Sequence, residues 1–167
     1  MLVASVTFNH PRQGERGILA LWDEGRLVWS EDLLRGGEPY LTGEAKDIET
    51  SELVDEILSC LGGSLPVEAH HRGPDAPWIR ILLYRDERVV ADLGSWHEPF
   101  EESGVLVATA KGVVESSERT KDDIMAEQPV EYRRFRRCWR LARERLAALI
   151  PDRGRALNRA EASALPW

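Results

Sequence analysis

Along the first third of the chain, apolar residues come in short β-branched and aromatic runs rather than at helical spacing. Leu2 to Phe8 reads LVASVTF and Ile18 to Trp22 reads ILALW, both of strand length. Asp23-Glu24-Gly25 separates the second run from Arg26-Leu27-Val28-Trp29, which predicts a hairpin. In its returning strand Leu27 and Trp29 share one face, and Arg26 and Val28 the other. The pattern then stops. Ser30 to Gly43 is punctuated by Gly36-Gly37, Pro39 and Gly43 and reads as a loop or irregular edge.

Near Ile48 the period becomes helical. Leu53, Val54, Ile57, Leu58 and Leu61 recur every three or four residues, predicting a helix near 50–61 that Thr50 or Ser51 can cap and Gly62-Gly63 can end. After a loop bounded by Gly and Pro, Trp78 to Tyr84 and Arg88 to Leu93 flank Arg85-Asp86-Glu87 as a second hairpin, and a short strand is expected over 104–110. Pro129 opens a stretch in which Tyr132, Phe135, Trp139, Ala142, Leu146 and Leu149 draw an apolar stripe ending at Pro151. It predicts a long C-terminal helix near 130–149, docked through Phe135, Trp139 and Leu146. Hairpins and helices that do not alternate define the α+β class with a mainly antiparallel sheet. Residues 1–150 read as a single α+β domain, and 151–167, without clear periodicity, as a loosely ordered C-terminal tail.

Composition narrows the classes. A chain of 167 residues with 43% hydrophobic content supports one core and excludes wholesale disorder. The net charge of −7 argues against a globally basic nucleic-acid binder. No basic start precedes a long apolar run at the N-terminus, and no apolar stretch reaches the ~20 residues of a membrane span, so a cytoplasmic protein is expected. Cys60 and Cys138 offer neither a disulfide framework nor CxxC spacing. They read as reduced, buried small hydrophobes.

Chemistry-bearing strings are few. Ser95-Trp96-His97-Glu98-Pro99-Phe100-Glu101-Glu102 is the most distinctive. His97 with Glu101 resembles half of a metal motif, but that geometry needs one helical face and Pro99 opposes helix there. The simpler reading has Trp96 and Phe100 anchoring a turn while His97 makes one structural hydrogen bond. His70-His71 could join a distant His97 around zinc, yet adjacent side chains point apart and the pair reads as an exposed loop. In Arg35-Gly36-Gly37-Glu38-Pro39-Tyr40 the glycines would let backbone amides approach an anion and Arg35 would fork onto it. The competing account is a tight turn pinned by Tyr40. No GxSxG, GxxxxGK[ST], HExxH or GxGxxG occurs.

The clearest charge feature is the terminal helix. From Glu131 onward ten arginines face four acids, about +6, leaving about −13 on the residues before it. Arg133, Arg136, Arg137, Arg140 and Arg143 are expected to cluster opposite the apolar stripe. That face either meets an acidic protein or is a solvated, salt-bridged side, with nucleic acid the least favoured partner. Six tryptophans are explained by core packing as well as by an aromatic cleft.

Leu27-Val28-Trp29-Ser30 with Leu34-Arg35-Gly36-Gly37-Glu38-Pro39-Tyr40, Ser95-Trp96-His97-Glu98 and Tyr132-Arg133-Arg134-Phe135 resemble blocks of an uncharacterised family of small bacterial proteins. The resemblance implies a bacterial source and transfers no activity or residue role. The reading reached from the residues is a non-catalytic protein without a cofactor, acting through binding to another protein, its oligomeric state open. The alternative is a metal-assisted hydrolase using His97 with Glu98 or Glu101.

Overall fold

The computed structural model describes residues 1–10, 14–45, 49–62, 77–97, 106–109, 112–115 and 121–167. Among the described residues, nine strands and four helices follow the chain as β1 (Leu2–His10), β2 (Gly14–Trp22), β3 (Arg26–Ser30), β4 (Tyr40–Glu44), α1 (Thr50–Leu61), β5 (Trp78–Arg85), β6 (Arg88–Trp96), β7 (Leu106–Thr109), β8 (Gly112–Glu115), α2 (Lys121–Ala126), α3 (Val130–Ala147), β9 (Arg155–Ala156) and α4 (Arg159–Ser163). Seven strands form one antiparallel sheet in the order β6-β5-β1-β2-β3-β4-β9, and β7 and β8 pair separately. The α+β class with an antiparallel sheet is thus the architecture observed. Among the described residues no helix is long and apolar enough to cross a membrane.

Register turns single apolar positions into rows. Leu93, Ile81, Val6, Leu19, Trp29 and Leu41 stand side by side across six strands. Ala91, Leu83, Ala4, Leu21 and Leu27 form the next row on the same face. Both helical stripes close over these rows: Leu53, Val54, Ile57 and Leu61 of α1, and Phe135, Cys138, Trp139, Ala142 and Leu146 of α3, share one buried cluster with them. Gly62 ends α1 in the left-handed conformation at φ 63°, where its N–H bonds Leu58 O and Ser59 O. The start of α1 departs from expectation. Glu49 occupies the cap position without a side-chain bond, so neither Thr50 nor Ser51 caps the helix.

The opposite face carries small and polar residues. Asp92, Leu82, Ser5, Ala20, Val28 and Thr42 run across it in register, and indoles lie where glycines leave room. A Cβ at Gly17 would collide with the Trp167 ring, and one at Gly94 with the Trp78 ring. On the helix side, a Cβ at Gly154 would collide with the Trp29 ring, and one at Gly43 with Pro151.

Two expectations need correction. The stretch read as an irregular edge contains β4, paired with β3 over its whole length; its glycine, which argued against a strand, makes room for Pro151 and Trp29. Much of the stretch 151–167, expected as a loosely ordered tail, is instead held against the sheet. Its strand β9 pairs with β4, Leu157 N donates to Tyr40 O at 2.9 Å, and Leu165 and Trp167 pack with Val28 and Tyr40. The two-strand unit's second member, β8, and the short α2 were not foreseen.

A capping box holds α4. Asn158 Oδ1 accepts from Glu161 N at 3.0 Å and Glu161 Oε2 accepts from Asn158 N at 2.9 Å, while Arg155 forks onto the same carboxylate at 2.8 and 2.9 Å. Arg155 first, and the Asn158 backbone next, lower the Glu161 carboxyl from its ordinary 4.5 to about 2. A carboxylate with a depressed folded-state value stabilises above its unfolded value and loses that contribution as acid titrates it. The difference in urea midpoint between the parent and Glu161→Gln is therefore expected to be full at neutral pH, to shrink below about 4.5, and to close near pH 2.

Trp139 is 1% exposed within the shared core. Trp139→Ala is expected to cost about 3–5 kcal/mol in chemical denaturation. A midpoint equal to the parent's would show that α3 does not hold the sheet.

Candidate functional site

α3 carries seven arginines and two glutamates in eighteen residues, and the fold sorts the arginines into distinct roles. At 100° per residue, Arg136 and Arg143 fall only about 40° and 20° from Tyr132, on the core side of the helix. Arg136 is 2% exposed, and its guanidinium lies 5.1 Å from the Trp139 ring centroid, with that of Arg143 at 4.8 Å. Both cations thus sit over an electron-rich indole inside the interface. This corrects the expected five-arginine face: Arg136 is no outward contact residue, and Arg143 is half-buried.

Two others tie α3 to α1. Arg145 Nε donates to Glu56 Oε2 at 2.8 Å and Oε1 at 3.0 Å. Arg134, half-buried, places its guanidinium about 3.5 Å from where a Gly62 Cβ would stand. It supplies positive charge at the carbonyl end of α1, whose own last turn has no basic residue.

Arg133, Arg137 and Arg140 remain. All three are exposed, they fall within an arc of about 60°, and they span about 10 Å along the axis. Among the described residues they make no ion pair or side-chain hydrogen bond. By contrast, Arg80, Arg85, Arg145 and Arg155 each hold a carboxylate. The stripe is a row of hydrated guanidinium forks at one-turn spacing, suited to carboxylates presented at matching intervals.

His97 lies at the far end of β6, half-buried in an aromatic corner. Its ring meets Phe8 edge-on at 5.1 Å and Trp139 at 6.1 Å, and its backbone N–H donates to Pro77 O at 2.8 Å. Tyr132 closes the corner by donating its hydroxyl to Trp96 O at 3.0 Å. Glu98 and Glu101, the carboxylates paired with His97 in the hydrolase reading, lie outside the described residues, as do His70 and His71. Among the described residues no three His, Cys, Asp or Glu side chains gather to hold a metal.

Arg35 is exposed on the connection between β3 and β4. The glycines that would have cradled an anion there have their amides engaged: Gly36 N donates to Asp32 O at 2.8 Å and Gly37 N to Gly17 O at 3.1 Å. Ser30 Oγ donates to Gly37 O at 2.6 Å, and the loop returns to the sheet at Tyr40, 6% exposed. Burial raises the Tyr40 phenol above its ordinary value. The described contacts do not join Arg35 to the α3 stripe. A cleft of about 390 Å³ beside this loop is lined by Arg16, Gly37, Glu38, Tyr40, Ala162 and Trp167. No local pattern announces this cleft, because Trp167 reaches it from a stretch without periodicity.

Compared with known proteins, the chain matches no family model, no curated protein and no solved structure.

The packing of His97 has a measurable consequence. His97→Gln keeps a polar group but loses both ring contacts, so it is expected to lower stability by about 1–2 kcal/mol in urea denaturation. Far-UV circular dichroism of the variant should match that of the parent.

Proposed function

We propose that this is a non-catalytic binding protein whose α3 stripe of Arg133, Arg137 and Arg140 docks an acidic segment of another protein. The observation that carries the reading is the division of labour along one helix: among the described residues, four arginines are engaged within the fold, and exposed Arg133, Arg137 and Arg140 are not. Such a stripe beside an otherwise acidic molecule, −7 overall, attracts a negative partner in one orientation and repels it in others. A partner helix with Asp or Glu at positions i, i+4 and i+7 would match its length and spacing. Nucleic acid is disfavoured because three guanidiniums on a net-negative chain release few counterions. Arg35 would act separately, as a local anion contact.

The test is fluorescence anisotropy of a labelled helical peptide carrying acids at those intervals. The parent is compared with the triple variant Arg133→Glu, Arg137→Glu, Arg140→Glu at low and at physiological salt. Charge reversal is expected to weaken binding at least about tenfold, and salt to weaken the parent's binding. Thermal unfolding should be nearly unchanged, since exposed charges contribute little to stability. Equal affinity of the folded variant would refute the proposal, and tighter binding of a DNA duplex than of the peptide would reverse the choice of partner.

A further inference from the structure

The C-terminal stretch does not seal against the sheet along its whole length. Between them opens a cleft of about 540 Å³ that shares no lining residue with the one beside Tyr40. Leu2, Trp22 and Arg26 form its sheet wall, and Arg155, Glu161 and the chain from Ala164 to Pro166 form the other. We infer that this cleft binds a small monocarboxylate with an apolar body, the carboxylate held by Arg26.

The charged groups fix the sign and the number of charges. Arg155 is committed, since its two terminal nitrogens donate to Glu161 at 2.8 and 2.9 Å, and Glu161 also accepts from Asn158 N in the capping box. Arg26 is not. Its guanidinium lies over the Trp22 ring, 4.7 Å from the centroid. Glu44 stands opposite it in register, but among the described residues Arg26 makes no ion pair or side-chain hydrogen bond. A guanidinium seated on an indole keeps its N–H donors for a planar carboxylate. The lining therefore sets two cations against one acid, which matches a single negative charge. A second, as on a phosphate dianion, would meet Glu161. The cleft beside Tyr40 has no such excess, because Arg16 and Glu38 both line it.

The rest of the lining is apolar: Leu2, Trp22, Ala164, Leu165 and Pro166. Trp22 and Leu165 belong to one packed cluster, so both walls are tied to the fold. The volume falls within the roughly 300–1,000 Å³ of ligand clefts and suits a body of about six to ten carbons. Apolar walls around one uncompensated cation are what an amphipathic anion requires. Each methylene fully buried there would raise affinity by roughly fourfold.

The test titrates nitrogen-15-labelled full-length protein with octanoate, butanoate and octylamine, following amide and indole signals by NMR. Octanoate is expected to bind at one site and to shift Leu2, the Trp22 indole, Arg26, Ala164 and Leu165. Butanoate, with its shorter chain, should bind at least about tenfold more weakly. Octylamine, with the same chain length and the opposite charge, should leave these signals unmoved. Arg26→Gln is expected to weaken octanoate binding at least about tenfold. Glu161→Gln removes the acid and frees Arg155, and should tighten binding about threefold or more. Octylamine binding as well as octanoate would reveal an adventitious apolar contact and overturn the inference. So would octanoate shifts confined to Arg133, Arg137 and Arg140, unchanged affinity in a folded Arg26→Gln variant, or no octanoate binding at millimolar concentration. The comparison of probes uses the parent protein, so it decides the matter even if a variant fails to fold.

Discussion

Six strands align Leu93, Ile81, Val6, Leu19, Trp29 and Leu41 into one apolar row, and an antiparallel sheet with such a row needs a cover. Each buried side chain of this size contributes roughly 1.5–3 kcal/mol relative to exposure, so the stripes of α1 and α3 are held against the sheet by the same surface that holds its strands in register. A slip of one residue in any of these strands would send its large side chains to the face built from Ser5, Ala20 and Thr42. Helix placement and strand register are therefore one constraint.

That constraint also governs the electrostatics. An arginine-rich helix pressed onto an apolar sheet must dispose of its cations, and it does so by phase. Those nearest the core lie over Trp139, those at the α1 border meet Glu56 or the end of α1, and the rest face solvent. The Trp139 ring thereby serves two masters, filling the core and accepting the positive charge that the helix brings with it.

How far the sequence discloses this depends on whether the deciding contact is local. The first two hairpin strands and both long helices are legible because their own apolar spacing selects them. Strand β4 is not, since Gly36, Gly37, Pro39 and Gly43 suggest punctuation until Pro151 and Trp29 are known to occupy the space above Gly43. The C-terminal stretch is obscure for a different reason: Asn158 and Glu161 are a capping pair in plain view, but so short a helix has almost no periodicity to display. Among the candidate residues, the exclusion of Arg136 was available from helical phase alone. The separation of Arg134 and Arg145 from the exposed stripe was not, because it depends on where α1 runs. The ring partners of His97 come from β1 and α3, remote in sequence, and no local string announces them.

The indoles seated on glycines bear on how the molecule can be read by mutation. Trp167 lies where Gly17 has no side chain, and Trp78 where Gly94 has none. Ring and seat are thermodynamically one residue divided between two positions. Adding a methyl group to the seat or removing the ring abolishes the same contact, so their single-site effects overlap instead of adding. Over evolutionary time such a pair would change together or remain fixed, and the glycine would look dispensable only in a chain that had already given up its tryptophan.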